Sequence, residues 1–416
     1  MPLGLTSHAY SPGAIRKVVE AGGELKSFAA AARVLRNLAG ITISAQHVRR
    51  LTEEVGRELA LRRDREVEDY VHHRRVEPGD PIPPGVVVAV DGGRIQTRTP
   101  RPDAGPGIHE HGWKEDKVAC LYTLGGSEFP DDPHPQPPRV FTDRRRVDEL
   151  ARDIHSQRGT NPDWPALPVS AGPPTRPEAS SATDNSPRVW PPARGERSCV
   201  ASMQGSDEFG KMVAAEAYGR NFYGSKRRAF LGDGQRYNWA IRDRWFADFE
   251  PIADFVHVLS YLYAAATAVS ADVEERWALY VGWMTSCWQG RAGEVASSIR
   301  GRADGKGWSP PGADTPEGDW RVVVERAWTY VANNAPHMDY PRYRRLGLPV
   351  TSAAVESLIK EVNYRVKGTE KFWNQPEGAE AILQVRAAML SDDDRLGRFL
   401  AARPGSPHRY TRRAAA

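Results

Sequence analysis

The chain has 416 residues, of which 40% are hydrophobic and 26% are charged, so it has enough apolar mass for a large core and global disorder is excluded. The net charge is only +4, yet basic residues recur in clusters, which agrees with a nucleic-acid partner. For any single cluster, solvated surface is the better interpretation. The three cysteines form no CxxC pair, so neither a disulfide framework nor a zinc knuckle is expected. No apolar run approaches the roughly 20 residues that span a bilayer, so we expect a cytoplasmic protein with no membrane partner.

Residues 1–80 have the pattern of helices. Apolar residues recur at helical spacing before Gly40, which supplies a stop, and Ser44 is placed to cap the next helix. Two short helices across such a turn are typical of a helix-turn-helix, although many helix pairs never bind DNA. In the DNA-binding interpretation, side chains near the start of the second helix meet base edges or phosphates. These are Gln46, Arg49 and Arg50.

An α/β pattern begins after the prolines at 81–84. Residues 85–90 form a valine-rich run that predicts a buried strand, and Asp91-Gly92-Gly93 follows at its end. The stretch 125–195 holds 14 of the 33 prolines, so we interpret it as an insertion of loops with a short helix near 147–154. Four more strands are predicted, at 117–122, 198–203, 228–232 and 252–257.

The rest of the sequence predicts mainly helices. Residues 273–333 are helical and rich in tryptophan, and we expect Trp283 and Trp288 to pack in the interior rather than contact DNA. A helix over 353–366 carries Glu356, and a last helix covers 376–390. The predicted regions are therefore a helical DNA-binding region (1–80), the first part of an α/β core (81–270), an all-α insertion (271–340), C-terminal core helices (341–400) and a basic tail (401–416).

Two strands that end in an aspartate flanked by glycine are the central observation. A carboxylate at such a strand end points into the crevice where α/β sheets place their sites, although Asp-Gly is also a common turn dipeptide. Asp91 and Asp233 hold these positions, and Glu356 would lie one turn into its helix with Thr351 or Ser352 as cap. Three carboxylates of this kind could hold two divalent cations about 4 Å apart, a spacing that suits attack at phosphorus.

Four blocks of the sequence resemble bacterial insertion-sequence transposases. They are VVVAVDGGR at 86–94, FLGDGQRYNW at 230–239, DFVH at 254–257 and the long run at 355–373. The branch that they most resemble is the Kra-type group, related to mutator-like elements. The resemblance implies an RNase H-like catalytic core with an all-α insertion and a helix-turn-helix-like N-terminal region. It also implies a DDE triad of Asp91, Asp233 and Glu356 that binds two Mg²⁺ or Mn²⁺ ions.

The same resemblance implies further site residues and partners. Asp254 and His257 match a D/C-x-x-H motif, in which the histidine either supports the site or is an ordinary structural residue. Basic residues on or just past the helix of Glu356 are candidate DNA contacts or plain surface charge, namely Lys360, Arg365, Lys367 and Lys371. The expected partners are the terminal inverted repeats and target DNA. Such enzymes act as homodimers or larger synaptic assemblies and are nucleoid-associated when bound to DNA.

The expected reaction is cleavage at the ends of the element, followed by strand transfer of the freed 3′-hydroxyl to target DNA. One alternative is a decayed or co-opted copy that only binds DNA, and another is a metal-dependent nuclease without strand transfer. The presence of all three carboxylates argues against decay at the site. The proline-rich stretch is longer than in the resembling proteins, which usually carry an additional segment before the helix-turn-helix region.

Overall fold

The computed structural model describes residues 10–78, 81–101, 109–157, 190–367 and 372–403. Within these residues, the side chains of 99, 100, 109, 111, 153–157 and 353–356 are not described. The described part is a mixed α/β structure in which helices cover both faces of a five-stranded sheet. The predicted α/β class is therefore confirmed.

Three helices open the described chain, as the sequence predicts. They are α1 (Pro12–Glu24), α2 (Phe28–Ala39) and α3 (Ala45–Val71). Gly40 ends α2 in the left-handed region with a φ of 64°, which glycine adopts without strain. The hydroxyl of Ser44 accepts a hydrogen bond from the amide of His47 at 3.2 Å and so caps α3. The predicted stop and the predicted cap are both confirmed.

The five strands form one open sheet. They are β1 (Gly85–Pro100), β2 (His109–Leu124), β3 (Arg194–Ser202), β4 (Arg227–Gly232) and β5 (Glu250–Ala253). The spatial order is β3-β2-β1-β4-β5, in which β2 runs antiparallel to both of its neighbours. The pairs β1–β4 and β4–β5 are parallel. The carboxyl ends of β1, β4 and β5 therefore point toward the same edge of the sheet.

Eleven more helices follow α3 in the described residues. They are α4 (Arg144–Gln157), α5 (Ser206–Gly219), α6 (Arg236–Trp245), α7 (Phe255–Val269), α8 (Val273–Trp288), α9 (Ala292–Gly305), α10 (Trp320–Asn334), α11 (Tyr340–Arg345), α12 (Ala353–Val366), α13 (Pro376–Met389) and α14 (Arg395–Ala402). The helices α8, α9 and α10 confirm the helical prediction for 273–333, apart from the non-helical connection at 306–319. The short helix predicted near 147–154 lies within α4.

The alternation of β1 divides the core into two layers. Val86, Val88 and Val90 pack with residues of α5 and α6 on one face. Val87 and Ala89 pack on the other face with residues of α7, α12 and α13. Because successive side chains alternate, Asp91 belongs to the second face and lies on the side of α12.

The predicted bounds of several strands are wrong. The strand predicted at 117–122 begins at His109, and the strand predicted at 198–203 begins at Arg194. The strand predicted at 252–257 ends at Ala253, because Asp254 caps α7 instead of continuing the strand. The strand predicted at 85–90 continues to Pro100 and pairs with β2 as far as His109. Beyond the sheet these two strands form a two-stranded extension, here called the hairpin arm, which consists of residues 93–100 paired with 109–116. Its outer edge is partly covered by Trp373, whose amide donates to Gln96 O at 3.1 Å.

The N-terminal helices pack directly on the C-terminal helices. A Cβ at Gly56 of α3 would lie 2.0 Å from the carbonyl oxygen of Ala381 in α13, so only glycine permits this close approach. Arg63 of α3 also donates to Glu380 of α13 at 2.7 Å. Among the described helices, none combines the length and the apolar character needed to cross a bilayer.

Candidate active site

Asp91 and Asp233 come together because two parallel strands carry them. The register of β1 with β4 ends at the pair Val90↔Gly232; Asp91 is the next residue of β1, and Asp233 directly follows β4. Neighbouring strands lie about 4.8 Å apart, so the two Cα positions are close neighbours. The prediction that Asp91 ends its strand is wrong. Asp91 marks the point where β1 separates from β4 and enters the hairpin arm. The glycine-flanked aspartates are therefore brought to one edge of the sheet.

The carboxylate of Asp233 is held by its own turn. It is only 3% exposed and accepts hydrogen bonds from the backbone amide of Gln235 at 3.1 Å and from its Nε2 at 2.8 Å. Asn238 Nδ2, one turn into α6, donates to the same carboxylate at 2.7 Å. Donors from the backbone and from two side chains fix the direction of this carboxylate before any ligand binds.

Helix α10, the last helix of the all-α segment, packs beside this turn. The hydroxyl of Tyr330 in α10 donates to the carbonyl oxygen of Asp233 at 3.1 Å. Gly234 has a φ of +88°, and a Cβ there would lie 2.6 Å from the ring of Tyr330. Asn334 Oδ1 accepts from the indole of Trp239 at 2.8 Å. No sequence spacing signals these contacts, because they join segments far apart in the chain.

Asp254 connects β4, β5 and the approach to α12. It is fully buried, its amide donates to Gly232 O at 2.9 Å, and its Oδ1 caps α7 by accepting from the amide of Val256 at 3.1 Å. The amide of Ser352 donates to the same Oδ1 at 3.0 Å, and the Ser352 hydroxyl donates to Oδ2. Asp254 thus links the residue before Asp233 to the residue before α12.

His257 lies beside this junction, one turn into α7. Its Nε2 is 3.7 Å from Asp254 Oδ2, and the side chain is buried. The spacing of the D-x-x-H motif therefore places both side chains on the same buried side of the start of α7. This position favours a role in holding the junction over direct contact with DNA.

Glu356 lies in the first turn of α12, and its side chain is outside the described residues. Ser352 occupies the N-cap position, but its hydroxyl bonds to Asp254 and not to a helix amide, so the prediction of a side-chain cap is wrong. Leu358 and Val362 bury α12 against the face of the sheet that carries Asp91. Asn363, about two turns after Glu356, reaches Gly93 of β1. The helix of Glu356 therefore runs beside the strand of Asp91.

Sequence reasoning missed Asp116 of β2. It pairs with Gly93 and is 0% exposed, and neither carboxylate oxygen has a hydrogen-bond partner. Burial raises the pKa of Asp116 to about 6, against the opposing effect of Lys367. A Cβ at Gly93 would lie 2.8 Å from Asp116 Oδ1, so glycine leaves room for this carboxylate. The signal was present in the sequence, because Asp116 continues the inward alternation of Val118 and Cys120.

The DNA-contact candidates differ in their exposure. Gln46, Arg49 and Arg50 are all exposed near the start of α3, where Arg49 Nε donates to Glu53 at 2.6 Å. Arg50 lies 3.2 Å from a ring nitrogen of His47. Lys360 is exposed on α12 and Lys367 is partly exposed just after it, while Lys371 lies outside the described residues.

Arg365 does not suit a DNA contact. Its side chain is 2% exposed, and its Nε donates to the carbonyl oxygen of Gly22 in α1 at 2.7 Å. The guanidinium also lies 4.4 Å from the centre of the Phe28 ring. Burial lowers the pKa of Arg365 to about 10. Arg365 therefore joins α12 to the N-terminal helices, and a phosphate at the surface cannot reach it.

Trp283 and Trp288 of α8 pack in the interior, as expected. Trp288 is fully buried and its indole donates to His134 O at 2.8 Å. Trp283 is nearly buried and donates to the hydroxyl of Ser298 at 2.9 Å. Both indole N–H groups are satisfied inside the protein, which favours packing over a DNA contact.

The donors at this sheet edge suit a hard divalent cation. Asp91 and Asp233 supply carboxylate oxygens, and neither carboxylate oxygen of the buried Asp116 has a hydrogen-bond partner among the described residues. Among the described side chains, no group of three acidic, histidine or cysteine residues is arranged to hold a metal ion, and the Glu356 side chain is not in that set. Comparison with known proteins finds no family model and no curated protein that matches this chain.

Proposed function

We propose that the chain is a DDE-type DNA transposase with an RNase H-like core. The observation that carries this proposal is the adjacent register of Asp91 and Asp233 at the point where the parallel strands β1 and β4 part. Two further observations support it. The strand order β3-β2-β1-β4-β5 with β2 antiparallel is the order expected of an RNase H-like core. The Asp254–Ser352 contact also holds the start of the helix of Glu356 near the same edge.

The proposed triad would hold two Mg²⁺ or Mn²⁺ ions through Asp91, Asp233 and Glu356. Such ions neutralise charge at the scissile phosphate and lower the pKa of an attacking water. The residues of the chain itself orient these ligands. Gln235 and Asn238 fix the Asp233 carboxylate, and α10 holds the turn through Tyr330. A site with prearranged carboxylates loses little free energy to rearrangement when the substrate binds.

The proposed reaction has two steps at phosphorus. Water attacks a phosphodiester at the end of the element, the P–O bond to the leaving strand breaks, and a 3′-hydroxyl is freed. That hydroxyl then attacks a phosphodiester of the target, so that one ester bond forms as another breaks. The exposed residues of α3, together with Lys360, would contact the DNA backbone or bases. Assembly as a homodimer or a larger synaptic complex remains part of the proposal.

The first test is cleavage of labelled DNA that carries the flanking repeats of the element, with Mg²⁺ or Mn²⁺. We expect the wild type to cut, and Asp91→Asn and Asp233→Ala to bind the same DNA without cutting. Asp243→Ala is the matched control, because Asp243 is a nearby but mostly exposed carboxylate on α6. Circular dichroism of each variant establishes that it is folded.

Other outcomes of this assay separate the alternatives. If Asp233→Ala cuts as fast as the wild type, the assignment of the site is wrong. If all proteins bind the repeats and none cuts, the chain is a DNA-binding protein that has lost or never had catalysis. Nicked ends without joined products indicate a nuclease without strand transfer.

A further inference from the structure

Asp116 is a buried carboxylate that the proposed triad does not use. It has no exposed surface, and neither of its oxygens accepts a hydrogen bond. Among the described residues, no ion pair involves Asp116, and its own backbone amide, Lys367 and Lys117 offset only part of the effect of burial. A buried ionised carboxylate without an ion-pair partner is strongly unfavourable. Folding of the described residues therefore leaves a buried carboxylate that a cation would stabilise.

The position of Asp116 relates it directly to Asp91. Asp91 pairs with Val118, and Asp116 lies two residues before Val118 on the same face of β2. Such diagonal neighbours lie about 7–8 Å apart, and their side chains approach more closely. Asp116 is thus a neighbour of Asp91 on the side of the sheet that α12 covers.

A second side chain with an unpartnered oxygen, Asn363, lies beside Asp116. Oδ1 of Asn363 on α12 has no hydrogen-bond partner. Its Nδ2 lies 3.2 Å from the position that a Cβ at Gly93 would occupy, and Asp116 Oδ1 lies 2.8 Å from that position. The side chains of Asp116 and Asn363 therefore meet beside Gly93, between the strand of Asp91 and the helix of Glu356, and three of their oxygens have no hydrogen-bond partner. DNA phosphates would add negative charge here, whereas a cation or its bound water would satisfy all three oxygens.

We propose that Asp116 is a fourth carboxylate of the divalent-cation site, with the side-chain oxygen of Asn363 beside it. This inference rests on the proposed function, in which Asp91 and Asp233 hold the cation. The ligand is a hard divalent ion that prefers oxygen, such as Mg²⁺ or Mn²⁺, together with its bound water. Asp91, Asp116 and Asp233 do not form a group that could hold a metal ion directly, so Asp116 acts through the hydration shell of the ion and holds it toward the base of the hairpin arm.

The test measures Mn²⁺ binding by the full chain in the absence of DNA, from the loss of the electron paramagnetic resonance signal of free Mn²⁺. The variants are Asp116→Asn and Asp91→Asn, and the matched control is Glu110→Gln, an exposed acidic residue on the same strand. We expect Asp116→Asn to weaken Mn²⁺ binding by about 10–100-fold, the range typical of residues that support metal ligands. Glu110→Gln should bind as the wild type does.

A thermal shift supplies the second measurement. Without metal, Asp116→Asn should melt at the same temperature as the wild type or higher, because it removes an unpaired buried charge. Saturating Mn²⁺ should raise the melting temperature of the wild type more than that of Asp116→Asn. Asn363→Leu leaves Asp116 in place and should weaken Mn²⁺ binding by a smaller factor, so the inference can be tested even if Asp116→Asn fails to fold.

The outcomes separate this inference from the proposed function. If Asp91→Asn loses Mn²⁺ affinity while Asp116→Asn and Asn363→Leu bind as the wild type does, Asp116 is no part of the cation site and the triad stands. If the wild type binds no Mn²⁺, or Asp91→Asn binds it unchanged, the carboxylate site of the proposed function is wrong and this inference fails with it.

Discussion

Two buried carboxylate regions of this molecule differ in how completely the protein satisfies them. At the carboxyl ends of β4 and β5, Asp233 and Asp254 each accept hydrogen bonds from backbone and side-chain donors. At the base of the hairpin arm, Asp116 is equally buried and has no hydrogen-bond donor. Folding therefore supplies hydrogen-bond donors to the carboxylates of the first region and none to the carboxylate oxygens of Asp116.

This difference has a physical consequence for each region. Donors aimed at Asp254 hold β4, β5 and the start of α12 in one arrangement, so this carboxylate stabilises the fold. Asp116 gains no such stabilisation, and its pKa rises to about 6 because burial disfavours the charged form. Replacing Asp254 is therefore expected to lower the free energy of unfolding strongly, whereas replacing Asp116 is expected to lower it little.

The largest effect is expected for Asp254→Ala. This change removes the cap of α7 and leaves the amide and hydroxyl of Ser352 without their acceptor. We expect a loss of about 3–4 kcal/mol in the free energy of unfolding, from one lost cap and buried donors left unpaired. Urea denaturation measures it, with Ser352→Ala as the matched control at about 1 kcal/mol. If the two variants lose equal amounts of unfolding free energy, Asp254 contributes nothing beyond its hydrogen bond to the Ser352 hydroxyl.

The sequence contained enough information to predict most of the elements. The valine-rich run revealed β1, Gly40 and Ser44 revealed the junction of α2 with α3, and the Gly-Asp-Gly pattern revealed the turn after β4. These signals are local, because each arises within one turn of helix or a few residues of strand. The Asp91–Asp233 juxtaposition needed only the additional assumption that the two strands are parallel neighbours.

The remaining features depend on contacts that no local pattern encodes. Tyr330 reaches the Asp233 turn from a distant helix, and Arg365 is buried because α1 packs against α12. A basic residue after Glu356 looks the same in the sequence whether it faces solvent or the core. The length of β1 was also missed, because the buried positions Ile95 and Thr97 include only one apolar side chain and lie among polar residues.

The pH dependence of stability at a third carboxylate, one held by ion pairs, tests this comparison. Glu216 of α5 is mostly buried, with a side chain 16% exposed, and is bonded to Arg220 at 2.8 Å and to Arg395 at 2.6 Å; these arginines hold the pKa of Glu216 well below its ordinary value of 4.5. We expect Glu216→Gln to lose about 3 kcal/mol at neutral pH, the lower end for a broken buried ion pair, because Asp393 still bonds to Arg395.

The sign of the pH dependence follows from the lowered pKa. A carboxylate whose pKa is lower in the folded state stabilises the protein above pH 4.5, and this contribution disappears as the pH falls through the folded-state value. The difference between the wild type and Glu216→Gln should therefore be constant from about pH 6 to 8 and shrink steadily below pH 4.5. Urea midpoints at several pH values measure it. A difference that is unchanged in acid would mean that Glu216 contributes by packing and not by charge.

The smallest effect is expected at Gly93, which separates Asp116 from Asn363. A Cβ at this position would lie 2.8 Å from Asp116 Oδ1, so Gly93→Ala should destabilise the protein by about 1–2 kcal/mol through overpacking. Gly112→Ala on the partner strand of the same arm is the control, because its Cβ would meet only Thr97 Oγ1 at 3.7 Å. If Asp116 is the obstacle, Asp116→Ala should relieve part of the penalty of Gly93→Ala in a double-mutant cycle. An additive cycle would mean that Asn363 and the backbone, and not the unpaired carboxylate, fill the space above Gly93.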